Sequence, residues 1–196
     1  MACAANYAWA NRQLLMHWVR EAFEKTLSMS PKALGMRLLY DICHNIAKIE
    51  TLPVDGKDRR LCVHRKGATR ALPAGHPLVP AAYRDIGQPV LIPGDMGSGS
   101  YVLTGTTKAL EETFGSSCHG AGRVMSRTQA TKSSRGRSIA KDMADKGVIV
   151  MASGRGTLAE EIPEAYKNLD WVVDVVHRAG IARKVARLRA LGCIKG

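Results

Sequence analysis

From Trp9 to Leu27 the apolar residues Leu14, Leu15, Trp18, Val19 and Phe23 recur three and four positions apart, which places them on one face of an α-helix. The pattern predicts an amphipathic helix whose aromatic side chains enter the core. Ser30-Pro31 breaks it, and a second stripe of Leu34, Leu38, Leu39, Ile42, Ile46 and Ile49 predicts a further, partly helical segment with His44 and Asn45 at its far end. Neighbours on a helix point about 100° apart, so Cys43 would then face the core rather than the side of His44. Pro53-Val54-Asp55-Gly56 predicts a turn, and Arg60 to Ala71 alternates apolar with basic residues as a pair of strands does. Pro73, Gly75, Pro77 and Pro80 mark a loop reaching Gln88. The apolar run Pro89 to Ile92 and the segment Tyr101 to Thr104 predict two strands around the Gly-rich loop from Pro93 to Ser100.

Beyond Arg127, residues Thr128 to Ser138 are polar, basic and Ser-rich, and predict an exposed, flexible linker. Ile139 to Lys146 predicts a helix, Val148 to Met151 a short buried strand and Ser153 to Gly156 a turn. Asp170 to His177 predicts a helix closed by Gly180, followed by the basic stretch Ala182 to Arg189. These elements give an α+β fold of mixed strands with flanking helices, in a single domain spanning residues 1–196 without internal repeats.

Charge adds a partner class. The chain carries 29 Lys+Arg against 17 Asp+Glu, a formal charge of +12 that suits a polyanion, nucleic acid foremost. A solvated basic face with no partner is the plainer alternative. No apolar run is long enough to anchor the chain in a membrane. The five cysteines are scattered without a CxxC pair, which excludes a disulfide scaffold and a structural zinc knuckle. No signal peptide is visible at the N-terminus, so a reducing, cytoplasmic setting is expected.

Chemistry concentrates in Gly115-Ser116-Ser117-Cys118-His119-Gly120-Ala121-Gly122-Arg123. Small residues let backbone N–H groups approach an anion such as phosphate. The imidazole can serve as base, metal ligand or covalent acceptor, and Arg123 can neutralise a phosphoryl group. A Gly-rich turn that merely contains a His accounts for the same residues. Neither GxxxxGK[ST] nor KxDG occurs, so a Walker loop and a lysine-based nucleotidyl transferase are both excluded.

The run CHGAGR at 118–123, followed by Val124-Met125-Ser126-Arg127, resembles the RtcB family of GTP-dependent RNA ligases. The likeness extends through NYAWANRQ at 6–13, YDICHNIAKIE at 40–50, VHRKGATRA at 63–71, IGQPVLIPG at 86–94, EEIPEAYKN at 160–168, VVHRAGIARKVARLR at 175–189 and the terminal IKG. Seven blocks in one order are far more specific than any one motif. They match the C-terminal portion of a longer enzyme, so a fragment with an RtcB-like fold is expected, its missing N-terminal part being a partner.

The resemblance implies that His119 attacks the α-phosphate of GTP and carries GMP as a phosphoramidate. The guanylate then passes to an RNA 3′-phosphate, and a 5′-hydroxyl displaces it, as in tRNA splicing and RNA repair. His44 would bind manganese, and Asn45 would touch the nucleotide. The loop residues Pro93, Gly94, Asp95, Met96 and Ser100, together with Gly120, Ala121 and Gly122, would surround the triphosphate and guanine. Position 95 departs from the family, where Ser is common, and a carboxylate beside a phosphate is unfavourable without an intervening cation. Tyr166 and Lys195 would hold the guanine, Lys195 donating to its O6 or N7. Arg123, Arg127, Arg65 and Lys66 are candidates for RNA phosphates. The resemblance also raises RNA ends such as tRNA halves, and an archease-type activator, as partners. Two rivals are a non-catalytic RNA-binding fragment, against which the joint presence of His44, Asn45, His119, Tyr166 and Lys195 argues, and a metal-dependent phosphoesterase, which would need more metal ligands than His44.

Overall fold

The computed structural model describes residues 1–151 and 155–189. Lys195 and the Ser153–Gly154 part of the expected turn lie outside the described residues. Helix α1 (Ala2–Leu27) leads into an irregular stretch, followed by the hairpin of β1 (Asn45–Val54) and β2 (Lys57–Lys66) and the short β3 (Ala68–Arg70). Next come β4 (Pro89–Pro93), β5 (Ser100–Gly105), α2 (Thr107–Glu112), β6 (Ser116–Cys118), α3 (Arg127–Ser133) and α4 (Ile139–Ala144). The chain then runs through α5 (Arg155–Glu160), α6 (Leu169–Arg178) and β7 (Ala182–Leu188). Among the described residues the strands form three antiparallel sheets, β1–β2, β3–β6 and β4–β5–β7. The expected α+β class holds.

The main core lies where β4–β5–β7 meets α6 and α2: Val90, Ile92, Leu103, Ala109, Leu169, Val173 and Ala182 are all but inaccessible there. The predicted helix and its closing Gly180 (φ 76°) are present in α6. A second cluster joins Ala130, Ile139, Met143, Ile162 and Ala165.

Four expectations fail. The stripe from Leu34 to Ile49 is not helical: Ile46, Glu50 and Leu52 are buried while Ile49 is 57% exposed, because β1 alternates faces with a period of two. What decides this is Asp55-Gly56, with φ of 51° and 71°, the left-handed pair that closes a two-residue hairpin and locks β1 onto β2. Cys43 therefore lies on irregular backbone and is half-buried, not directed by a helix.

The basic linker contains α3. Its N-terminus is fixed by a capping box in which Ser126 Oγ accepts from Gln129 N (3.2 Å) and Gln129 Oε1 accepts from Ser126 N (2.9 Å). Ser126→Ala is expected to cost about 1 kcal/mol, readable as a lowered urea midpoint at unchanged slope. An unchanged midpoint would show that the cap is redundant.

Val148 to Met151 forms no strand, and Ile149 and Met151 are 88% and 92% exposed. Finally, α1 buries none of its residues, and Trp9, Trp18 and Phe23 are all exposed on it. Its stripe exists as predicted, but Leu15 and Val19 are only half-buried and Leu14, Trp18 and Phe23 are exposed. The helix is tied to the body by Arg12 Nε donating to Asp41 Oδ1 (2.7 Å).

Candidate active site

Two imidazoles from distant parts of the chain meet face to face. His44 immediately precedes β1 and His119 immediately follows β6, and their rings stack with centroids 4.5 Å apart and planes 13° from parallel. β6 is held in register by β3, with Ala68 opposite Cys118 and Thr69 opposite Ser117. Between β2 and β3, Gly67 runs so close that a Cβ there would sit 3.5 Å from His119 Nε2. Burial lowers the pKa of His119, and the charges of His44 and Lys66 act in the same direction. His44 is lowered by burial first, then by Lys66 and Arg12. Both shifts favour neutral rings.

The pair opens onto a cleft of about 380 Å³, lined also by Ile42, Thr69, Pro93, Ser100, Tyr101 and Leu188. Lys66 stands exposed beside it and donates to Asn45 Oδ1 (3.3 Å), which brings a cation and an amide next to His44. Of the expected loop residues, Pro93 and Ser100 reach the cleft wall. Asp95 turns its carboxylate onto its own loop, where Oδ1 accepts from Gly97 N (2.7 Å), while Ser98 Oγ accepts from Asp95 N (3.1 Å). The departure at position 95 is thus absorbed as a local turn. Met96 packs against the second core cluster, and the Pro93 carbonyl lies 3.5 Å from where a Cβ of Gly120 would be. Ala121 is buried in the main core, and Gly122 O accepts from Lys167 N (3.0 Å), which anchors the far end of the His119 loop.

Tyr166 is not among the cleft-lining residues. Arg123 forms an isolated bridge with it, places its guanidinium 4.9 Å from the ring centroid and donates to its hydroxyl (2.9 Å). Tyr166 in turn donates to Glu161, and Arg123 also donates to Met125 O and Glu160 O. Burial, then the Glu161 carboxylate, raises the Tyr166 pKa. The Arg123 donors are thereby committed to protein acceptors, making this residue a clamp between the His119 loop and the 160–166 segment.

Arg65 requires a correction. Its side chain is 1% exposed and paired with Glu50, so it cannot meet an RNA phosphate. Lys66 remains accessible, and so does Arg127, which pairs at the surface with Glu160 (2.8 Å).

A metal finds little here. Among the described residues no group of three or more His, Cys, Asp and Glu is placed to hold an ion, so the residues present do not form a metal site by themselves.

Thr69 was not singled out from the sequence. It is 1% exposed, lines the cleft and has a hydroxyl without a protein partner among the described residues. Nothing in the sequence distinguishes it from any strand threonine. No described helix is long and apolar enough to cross a membrane.

The whole chain, residues 1–196, matches the family model described as tRNA-splicing ligase RtcB. It is 61% identical over 196 residues to the tRNA-splicing ligase RtcB of Archaeoglobus fulgidus, covering all of this chain and 41% of the relative. The Thermococcus kodakarensis protein of the same name is 56% identical, and that of Methanococcus maripaludis 52%, each again over all of this chain and 41% of its own length. The chain therefore spans about two-fifths of the length of these curated relatives.

Proposed function

The chain belongs to the RtcB family of tRNA-splicing ligases, and from that premise we propose that it is the nucleotidyl-transfer part of an enzyme joining RNA 2′,3′-cyclic phosphate or 3′-phosphate ends to 5′-hydroxyl ends, in tRNA splicing and RNA repair. The observation that carries this reading is the His44–His119 stack at the edge of a cleft whose wall includes the Gly-rich loop strands. In the proposed first step a nitrogen of His119 forms a bond to the α-phosphorus of GTP while the bond to the β-phosphate bridging oxygen breaks, and pyrophosphate leaves with that electron pair. In the second, an RNA 3′-phosphate oxygen displaces the imidazole. In the third, a 5′-hydroxyl attacks the activated end, loses its proton and expels GMP. A 2′,3′-cyclic end must first be opened by water.

Manganese is proposed as the cofactor of the intact enzyme, with His44 as one ligand and the others outside the described residues. The cytoplasm is proposed as the compartment. RNA is proposed to approach over Lys66 and Arg127, the exposed cations of the candidate set. An archease-type activator belongs to the same proposal.

The test is ligation by the intact enzyme of an RNA bearing a 3′-phosphate to a 5′-hydroxyl partner, with manganese and either GTP or ATP. Joined product with GTP and little with ATP is expected, and no product with either would overturn the reading. Lys195→Ala is expected to weaken GTP use and narrow its advantage over ATP. Loss of a charged hydrogen bond to a desolvated base costs about 1.5–3 kcal/mol, roughly ten- to a hundredfold. Equal guanylylation rates in variant and parent, with both nucleotides, would remove Lys195 from base recognition.

A further inference from the structure

One fully buried ion pair lies outside every role assigned above. Arg65 donates from Nη1 and Nη2 to the two carboxylate oxygens of Glu50, both at 2.8 Å, and both side chains are almost wholly inaccessible. The same guanidinium donates from Nε to Ser116 Oγ (2.9 Å) and from Nη2 to Phe114 O (2.9 Å). Arg65 sits opposite Ile46 in the hairpin register, two residues beyond His44. Ser116 begins β6, which ends beside His119. A single side chain thus ties the ladder that carries one imidazole to the strand that carries the other.

What it grips is an unfavourable piece of backbone. Phe114 has φ of 51°, a left-handed conformation seldom adopted by a bulky residue, and Gly115 continues it at 60° with Leu72 Cδ2 2.8 Å from where a Cβ would be. This bend reverses the chain from α2 into β6 and so aims His119. The Phe114 carbonyl inside the bend is the one Arg65 holds. A bidentate fork has the fixed geometry for such a task. Stability alone does not account for the pair, because two hydrophobic residues of similar size commonly serve as well or better than a buried ion pair.

We propose that Arg65, locked by Glu50, is a positioning residue for the nucleophile: it holds the Phe114–Ser116 bend and thereby sets the face-to-face placement of His119 on His44. The inference deepens the ligase reading and rests on it for the role of His119, though not for the placement of the ring.

The test uses the intact enzyme and three forms: parent, Arg65→Lys and the double variant Glu50→Met with Arg65→Met, which removes both members of the buried pair and leaves Arg70, at 3.7 Å from Glu50 the second cation on that carboxylate, to turn its partly exposed guanidinium to solvent. The double variant is expected to keep its melting temperature within a few degrees. Its guanylylation kcat should fall about a hundredfold, the order attached to an ångström of misplacement, with KM for GTP little changed. Carbethoxylation of His119 by diethyl pyrocarbonate, mapped by peptide mass spectrometry, should rise several-fold as the ring leaves the stack, with exposed His64 as internal control. Arg65→Lys, which keeps the charge but not the fork, should fall between.

A folded double variant with parental kcat and parental His119 reactivity overturns the proposal, and so does a change in KM alone. If the double variant does not fold, Arg65→Lys decides: parental kcat overturns the proposal and a reduced kcat at unchanged KM supports it. Should the parent itself form no guanylate, the ligase reading fails while the His119 labelling still decides where the ring is held.

Discussion

His119→Ala in the intact enzyme is expected to abolish the covalent guanylate while leaving the fold and RNA affinity in place. The substitution removes the one acceptor nitrogen pair that β6 delivers to the cleft, and His44 does not replace it, since it reaches the stack from the opposite side. The ring is about half-buried, stacked on one imidazole and lying against the Gly67 turn, so its loss opens a modest void at the cleft edge rather than in either core cluster. A cavity at a site that solvent can fill costs far less than one in a close-packed interior. The basic surface is untouched, so RNA binding persists. Incubation with α-labelled GTP and manganese followed by denaturing electrophoresis reads the result. Label retained by the variant at parental level would remove His119 from the chemistry and leave the stack as packing.

How much of this was legible in the sequence depends on which physical signal each element carries. Strands β4 and β5 and helix α6 were readable because Pro89, the Gly-rich loop and Gly180 punctuate short apolar runs, whereas β7, whose alternation is filled with Arg and Lys, read only as a basic stretch. β1 was misread because Leu38, Ile42, Ile46 and Ile49 happen to fall at helical spacing, while Asp55-Gly56, the hairpin signal downstream, settles the period. The buried members of the hairpin include Glu50 and Arg65, and a code that equates charge with surface scores both wrongly. That single error turned Arg65 from a buried tie into an RNA contact.

α3 hid behind its polarity, yet Ser126 and Gln129 three residues apart were a start signal in plain view. The exposed apolar side chains of α1 and the exposed Ile149 and Met151 could not be foreseen from periodicity, which reports an amphipathic face but not whether anything covers it. For the site, no local pattern brings His44 to His119; their pairing followed from resemblance, and their stacking from the β3–β6 register.

The 196-residue chain on its own is expected not to join RNA ends. The described residues bring together a nucleophile candidate and a cleft, but no cluster of three or more side chains able to hold an ion. A leaving pyrophosphate then builds charge with side-chain cations such as Lys66 and Arg12 near His44, and stabilising such charge by preorganised groups is commonly what lowers the barrier most in a step of this kind. RNA binding should nevertheless survive, because +12 is a property of the chain itself, and the affinity should fall steeply as salt rises. The exposed apolar side chains of α1, with Trp9, Trp18 and Phe23 between 44% and 53% exposed, should make the isolated chain self-associate as its concentration increases. Three measurements on the purified chain decide the matter: ligation of paired RNA ends with GTP and manganese, filter binding at two salt concentrations, and sedimentation over a range of protein concentration. Robust ligation by the chain alone would mean that these residues assemble a complete catalytic centre and need nothing from the rest of the enzyme. Salt-independent binding would instead shift RNA recognition from the basic surface to specific contacts in the cleft.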